Sequence, residues 1–207
     1  MFKWIVLAIV GFIVYSLFDS VSTEREAKSE STTSESKPLA NPKPPQIPMG
    51  GWGTGFYVDE FGDSTDKGYV ALSSSGSFSN SATTGSPLKV RMFINSGARD
   101  PWFRLYEYAR DNPVKGTYTN AKLNSLNCRF KQPEDEPYTI ELTQFQGSDS
   151  FQLAGGGQVK LRAAIQSEAS VKVSCYLIDR PTTKYKFPLD FKHFKNAIAK
   201  VENKTTT

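Results

Sequence analysis

Val171-Lys172-Val173-Ser174-Cys175-Tyr176-Leu177-Ile178 is the stretch whose reading decides the fold. In an extended chain Val171, Val173, Cys175 and Leu177 share one face, with Lys172, Ser174 and Tyr176 on the other. A period of two with one apolar side is the pattern of an antiparallel strand half-buried against a core. Comparable runs of β-branched and aromatic residues occur at Gly55–Phe61, Gly68–Ser73, Leu88–Ile94, Trp102–Ala109, Lys122–Phe130, Tyr138–Phe145 and Val159–Ile165. Turn-forming clusters separate them, including Asn95-Ser96-Gly97, Asp111-Asn112-Pro113, Gly155-Gly156-Gly157 and Asp179-Arg180-Pro181. About eight or nine short strands at this spacing predict an all-β domain, an antiparallel β-sandwich. Strands do not alternate with helices, so a parallel nucleotide-binding sheet is not expected.

Two further segments complete the domain. The Ser-rich stretch 73–86 reads as an edge strand, because Phe78, Asn80 and Ala82 alternate with serine and threonine. At the chain end Pro188 suits a helix start and Asp190 a cap. Phe191, Phe194, Ile198 and Val201 then recur at steps of three and four, the stripe of a C-terminal helix packed on the domain. Its lysines, Lys192, Lys195, Lys200 and Lys204, would face solvent; the competing reading is a basic amphipathic helix on a membrane.

Cys128 and Cys175 each fall on the apolar face of a predicted strand, beside Leu126 and Phe130 in one and three aliphatic residues in the other. Outside the cytoplasm an even cysteine count favours a disulfide. Two buried free thiols are the alternative.

Ahead of the domain the composition changes twice. Lys3 precedes an uncharged apolar run from Trp4 to Phe18, which Asp19 closes. A positive start followed by apolar residues is an export signal. As a helix, fifteen residues rise about 22 Å, short of a hydrocarbon core of about 30 Å, so the run is a short membrane anchor or a signal segment. Ser20-Val21-Ser22 offers a weak cleavage context, and a retained single-pass anchor with the domain outside the cytoplasm is the preferred reading. Export after cleavage is the alternative. Residues 19–37 hold almost no large apolar side chain, and residues 38–48 hold five prolines. The first cannot offset its ordering entropy by burial and the second favours polyproline II, so 19–51 reads as a disordered tether. The organisation expected is therefore 1–18 anchor or signal, 19–51 tether and 52–207 domain.

The chemistry expected is sparse. The 207 residues carry a net charge of +4, and the domain holds 20 bases against 16 acids. That mild excess is not the footprint of a nucleic-acid binder. Asp59, Glu60, Asp63 and Asp66 cluster, but their spacing lacks the later glutamate and central glycine of a calcium loop, so a solvated turn is expected. The glycine-rich pieces lack the Gly-Lys-Ser/Thr ending of a phosphate loop. His193 is the single histidine, with no Gly-x-Ser-x-Gly elbow elsewhere and no second histidine or close cysteine pair for a metal. No catalytic, cofactor-binding or metal-ligating residue is expected, and no cofactor. Trp102-Phe103-Arg104-Leu105-Tyr106-Glu107-Tyr108 could present an aromatic platform or be an ordinary strand.

Tyr57–Thr65 (YVDEFGDST), Gly76–Thr84 (GSFSNSATT) and Leu105–Tyr108 (LYEY) carry a family resemblance. They resemble a group of uncharacterised bacterial envelope proteins with a D-E-F-G-D-x-T motif and then F-S-N-S-A-T, behind an N-terminal export or anchor segment. The resemblance covers most of residues 52–110; it implies an envelope location and assigns no chemistry. The C-terminal layout, Gly155–Leu161 and then Phe187–Val201, is similar in arrangement to type VI secretion accessory proteins, which place a β-rich domain behind an export signal. The function expected is a non-catalytic binding or accessory module at the envelope, touching the membrane through its N-terminal segment and contacting an envelope partner. The alternatives are a carbohydrate hydrolase with a carboxylate pair and a structural subunit of a surface assembly.

Overall fold

A computed structural model describes residues 47–97, 100–114, 124–145 and 147–204, all within the unit Asn41–Thr207. The apolar segment 1–18 and tether residues 19–46 lie outside the described residues. Among the described residues are nine strands and two helices: β1 (Trp52–Val58), β2 (Ser64–Ser79), β3 (Ser86–Asn95), β4 (Trp102–Glu107), β5 (Asn124–Lys131), β6 (Tyr138–Gln144), β7 (Phe151–Ala154), α1 (Gln158–Gln166), β8 (Ser170–Leu177), β9 (Arg180–Asp190) and α2 (Phe194–Lys204).

The sheet runs β1-β2-β3-β4-β7-β6-β5-β8-β9, and β9 returns to pair with β2. Every pairing is antiparallel. Strands β2 to β9 thus form a closed eight-stranded barrel, with β1 as an extra strand on β2. The expected β-sandwich is incorrect, and β2 is the reason. It is one strand of 16 residues, not a short strand followed by a separate serine-rich edge. On one side its first half pairs with β1, and its end, Ser77–Ser79, pairs with Lys184–Lys186 of β9. A single long strand therefore joins the two ends of what would otherwise be an open sheet. The closest approach of β2 to β9 falls at Gly76. A Cβ there would strike the Lys186 carbonyl oxygen and sit 2.7 Å from Phe187 Cβ. Only glycine lets the two backbones approach this closely.

Other expectations are corrected as well. Val159–Ile165 is not a strand but lies in α1. Its buried residues, Leu161, Ala164 and Ile165, follow the helical period, and Gly157 precedes it at φ 85°. Strand β9 reads as non-strand because Pro181 and Pro188 lie in it. Proline is tolerated where a strand is paired on one side only, and β2 pairs with β9 no further along than Lys186. Pro188 therefore does not open α2. That helix begins at Phe194, after His193 at φ 68°, whose carbonyl accepts from the Ala197 N–H at 3.1 Å. Phe194 and Val201 are buried as the stripe requires, and Phe191 is buried just ahead of the helix.

The barrel interior is filled by side chains, among them Phe78, Met92, Phe103, Phe130, Ile140 and Phe151, all at most 1% exposed. Cys128 and Cys175 stand opposite each other on β5 and β8, inside the barrel, and are bonded with S–S 2.06 Å and Cα–Cα 4.0 Å. At one end Val201 of α2 packs over Gly68, and Phe194 meets Trp52 with ring centroids 5.3 Å apart. At the other end Gln144, fully buried, donates to the Val114 and Ser148 carbonyls at 2.7 and 2.9 Å. It also accepts from Asn124 at 3.2 Å. Among the described residues no helix is long and apolar enough to cross a membrane. The transmembrane helix expected over residues 1–18 lies outside the described residues.

Candidate functional site

With the interior packed, the chemistry of this barrel is on its outer wall. The alternation that buries Val171, Val173, Cys175 and Leu177 turns Lys172, Ser174 and Tyr176 outward on β8. The same period turns out Asn127, Arg129 and Lys131 on β5, and Lys184, Lys186 and Pro188 on β9. Because β8 lies between β5 and β9, register sets these positions in three rows. Lys131, Lys172 and Pro188 form one; Arg129, Ser174 and Lys186 the next; Asn127, Tyr176 and Lys184 the third. Ser77 and Ser79 of β2 extend the last two. On the other flank β6 contributes Thr139 opposite Arg129, and Glu141 opposite Asn127.

Five cations thus occupy one exposed patch: Arg129, Lys131, Lys172, Lys184 and Lys186. None of the five makes an ion pair among the described residues. Glu141, at the margin, is the one carboxylate in the three rows. Lys131 and Lys172 stand directly opposite each other. A like-charged pair at that position opposes sheet formation, at a cost on the order of 0.2–1 kcal/mol. Neighbouring strands are about 4.8 Å apart and alternate residues about 7 Å apart along a strand, so the charges recur at those intervals. The surface is concave. A hollow of about 740 Å³ lies over the β2–β9 seam, bordered by Gly76, Arg129, Lys131, Lys172, Lys186 and Pro188.

The wall formed by β3 and β4 also carries cations, but there Lys89 and Arg104 have carboxylate partners, while Arg91 meets the Tyr106 ring and its buried Nε has no hydrogen bond among the described residues. Lys89 pairs with Asp111 at 3.0 Å and Arg104 with Asp149 at 3.1 Å. The Lys89 ammonium holds the Asp111 carboxyl below its ordinary range. Lys89 and Arg91 lie over the Tyr106 ring, and Arg104 over Phe93 and Trp102. Trp102–Glu107 is therefore a strand whose outward aromatics, Trp102 and Tyr106, are already covered, and Tyr108 follows it at φ 56°. Phe93 and Trp102 stack at 4.0 Å, and Tyr69 and Tyr57 continue the ladder.

The acidic cluster is a turn. Asp59 Oδ1 accepts from the Phe61 and Asp63 N–H groups at 2.9 Å each, Gly62 takes φ 87°, and the Thr65 hydroxyl donates to the Tyr57 carbonyl. The second resemblance motif is another turn. Asn80 Oδ1 accepts from Ala82 at 2.8 Å and Thr83 at 3.0 Å, so the strand expected through Ala82 stops at Ser79. Both motifs thus hold the two hairpins that flank β2, with side-chain bonds added to the backbone turn bonds. No group of three or more potential metal ligands occurs among the described residues. His193 lies on a different hollow, beside Asp190 and Lys200. Burial, with Asp135 adding, pushes the Tyr138 phenol up to about 12. Burial and Glu107 push Tyr185 higher still.

Sequence reasoning did not single out the basic patch. Its signals were Arg129-Phe130-Lys131 and Lys184-Tyr185-Lys186, two cation–aromatic–cation triplets at strand period. They merge into one surface only through the β5–β8–β9 adjacency. No protein-family model matches the chain, and neither a curated protein nor a solved structure is significantly similar to it.

Proposed function

We propose that this protein is a non-catalytic binding module of the cell envelope, and that the β5–β8–β9 face holds an anionic polymer. The observation that carries the reading is the in-register Lys131–Lys172 pair within a patch of five cations that the fold leaves without counter-charges. An arrangement that opposes folding and is not relieved by a neighbouring acid is the sort of local conflict found at functional surfaces. Lysine predominates over arginine, which suits repeated point charges better than bidentate recognition of one group. The hollow over the seam suits a chain lying in a groove, with anionic groups meeting cations about 5–7 Å apart. The apolar N-terminal run and tether would export the domain and hold it away from the bilayer. A hydrolase of the carboxylate-pair type needs two acids about 5–10 Å apart in a cleft, and no acid borders this hollow.

Linear polyphosphate is a suitable probe. Reversing two charges, Lys172→Glu with Lys186→Glu, is expected to weaken its binding about 100-fold at low salt, with the wild-type affinity falling steeply as salt rises. Equal affinity of wild type and the double variant for polyphosphate, measured by calorimetry, would remove the proposal.

A further inference from the structure

A second surface, away from the basic patch, has the form of a peptide groove. We infer that the cleft between the free edge of β1 and α2 receives an extended acidic segment of another protein, which pairs with β1 as an added strand. Among the described residues β1 has one strand neighbour, β2. The Gly51 carbonyl accepts from the Ser73 N–H, and Gly51 sits opposite the start of that ladder. By alternation Gly53 and Gly55 also turn their backbone polar groups to β2, and Trp52 and Thr54 turn theirs to the open side. That open side faces a hollow of about 760 Å³, with Pro48 and Gly50–Thr54 along one wall and His193, Asn196 and Lys200 along the other. The three α2-side residues recur at steps of three and four, so they form one stripe parallel to the cleft. The Trp52 indole N–H donates to the Lys192 carbonyl at 3.0 Å and ties the two walls together. An edge strand beside a helix is the layout in which an extended peptide adds to a sheet: the ladder gives affinity and the helix wall reads side chains.

Charge identifies the occupant. Lys192 and Lys200 border the cleft and make no ion pair among the described residues. Asp190 is the one carboxylate bordering it, and its Oδ1 already accepts from the Lys192 N–H and the Ser170 hydroxyl, both at 3.2 Å. The cleft therefore offers cations to an incoming chain. Pro48 and Gly50 of the protein's own tether border the cleft, but the tether makes a poor added strand, because the five prolines within residues 38–48 lack the N–H groups a ladder requires. A whole sheet from a second copy would meet α2 alongside the edge, whereas a single extended segment fits between.

The test uses the full chain and a nine-residue peptide of alternating valine and glutamate. Its binding is expected to be at least 10-fold tighter than that of the valine–lysine counterpart. Binding should slow hydrogen exchange at the Trp52 and Thr54 amides. Thr54→Pro removes an outward N–H and should weaken binding at least 10-fold. N-methylation of alternate peptide residues should do the same with the protein untouched, which keeps the test valid if Thr54→Pro misfolds. Lys172→Glu with Lys186→Glu should leave this binding unchanged, which separates the cleft from the basic patch. Absence of binding, equal binding of the N-methylated peptide, or protection confined to β5, β8 and β9 would each overturn the inference. Dimerisation through β1 in place of peptide binding would do so too.

Discussion

The wall of β3 and β4 and the wall of β5, β8 and β9 both carry arginine and lysine on the same barrel, yet the charges are held differently. On the first, Lys89 and Arg104 have carboxylate partners, and their stems and head groups cover Tyr106, Phe93 and Trp102. Those cations belong to the fold: they shield outward aromatics from water and their charge is answered locally. On the second, five cations face solvent without an ion pair among the described residues, and two of them stand in direct opposition. Net charge conceals this difference, because an excess of four says nothing about which cations are answered. Position and pairing distinguish a structural cation from one left open to a ligand.

Three substitutions test that contrast. The largest effect is expected at the seam that shapes the open face. Gly76→Ala places a methyl against the Lys186 carbonyl and Phe187, and should cost about 3 kcal/mol or more in chemical denaturation. If the variant were as stable as wild type, the β2–β9 contact would not be what closes the barrel. On the answered face, Trp102→Ala removes the stacked partner of Phe93 and a ring beneath Arg104. A loss of about 2 kcal/mol is expected, below the range for a fully buried tryptophan, with polyphosphate affinity unchanged. A drop in affinity with stability intact would show that the two walls are not distinct. The smallest effect has the opposite sign. Lys172→Thr relieves the opposition to Lys131 and should raise stability by about 0.5 kcal/mol while weakening the polyanion. A variant that gains stability and loses binding would sharpen the comparison; one that loses stability would contradict the cost assigned to that pair.

Much of the strand content is legible locally, because each strand's period of two depends on its own residues. Val171–Leu177 shows this most plainly, and the inward placement of Cys128 and Cys175 followed from it. Closure is not legible in that way. The long β2 reads as a strand plus a serine-rich tail, since the only mark of its closing contact is Gly76, whose meaning depends on β9, more than a hundred residues later. β9 itself is obscured by two prolines whose tolerance rests on missing neighbours. Val159–Ile165 satisfies both periods loosely, and the left-handed Gly157 before it helps set the helix. The basic patch is hidden for the same reason as the barrel. Arg129, Lys172 and Lys186 are far apart in sequence, and only the strand order makes them neighbours. Of the motifs behind the family resemblance, the acidic one is legible as a turn and forms one, whereas the serine-rich one reads as strand through Ala82 and turns instead at Asn80–Thr83.

The most direct measurement is a map of backbone amide shifts in the isotope-labelled protein as polyphosphate is added. The account predicts shifts centred on Arg129, Lys131, Lys172, Lys184 and Lys186, with Lys89, Arg91 and Arg104 unmoved. Shifts centred on β3 and β4, or spread evenly over both walls, would contradict it.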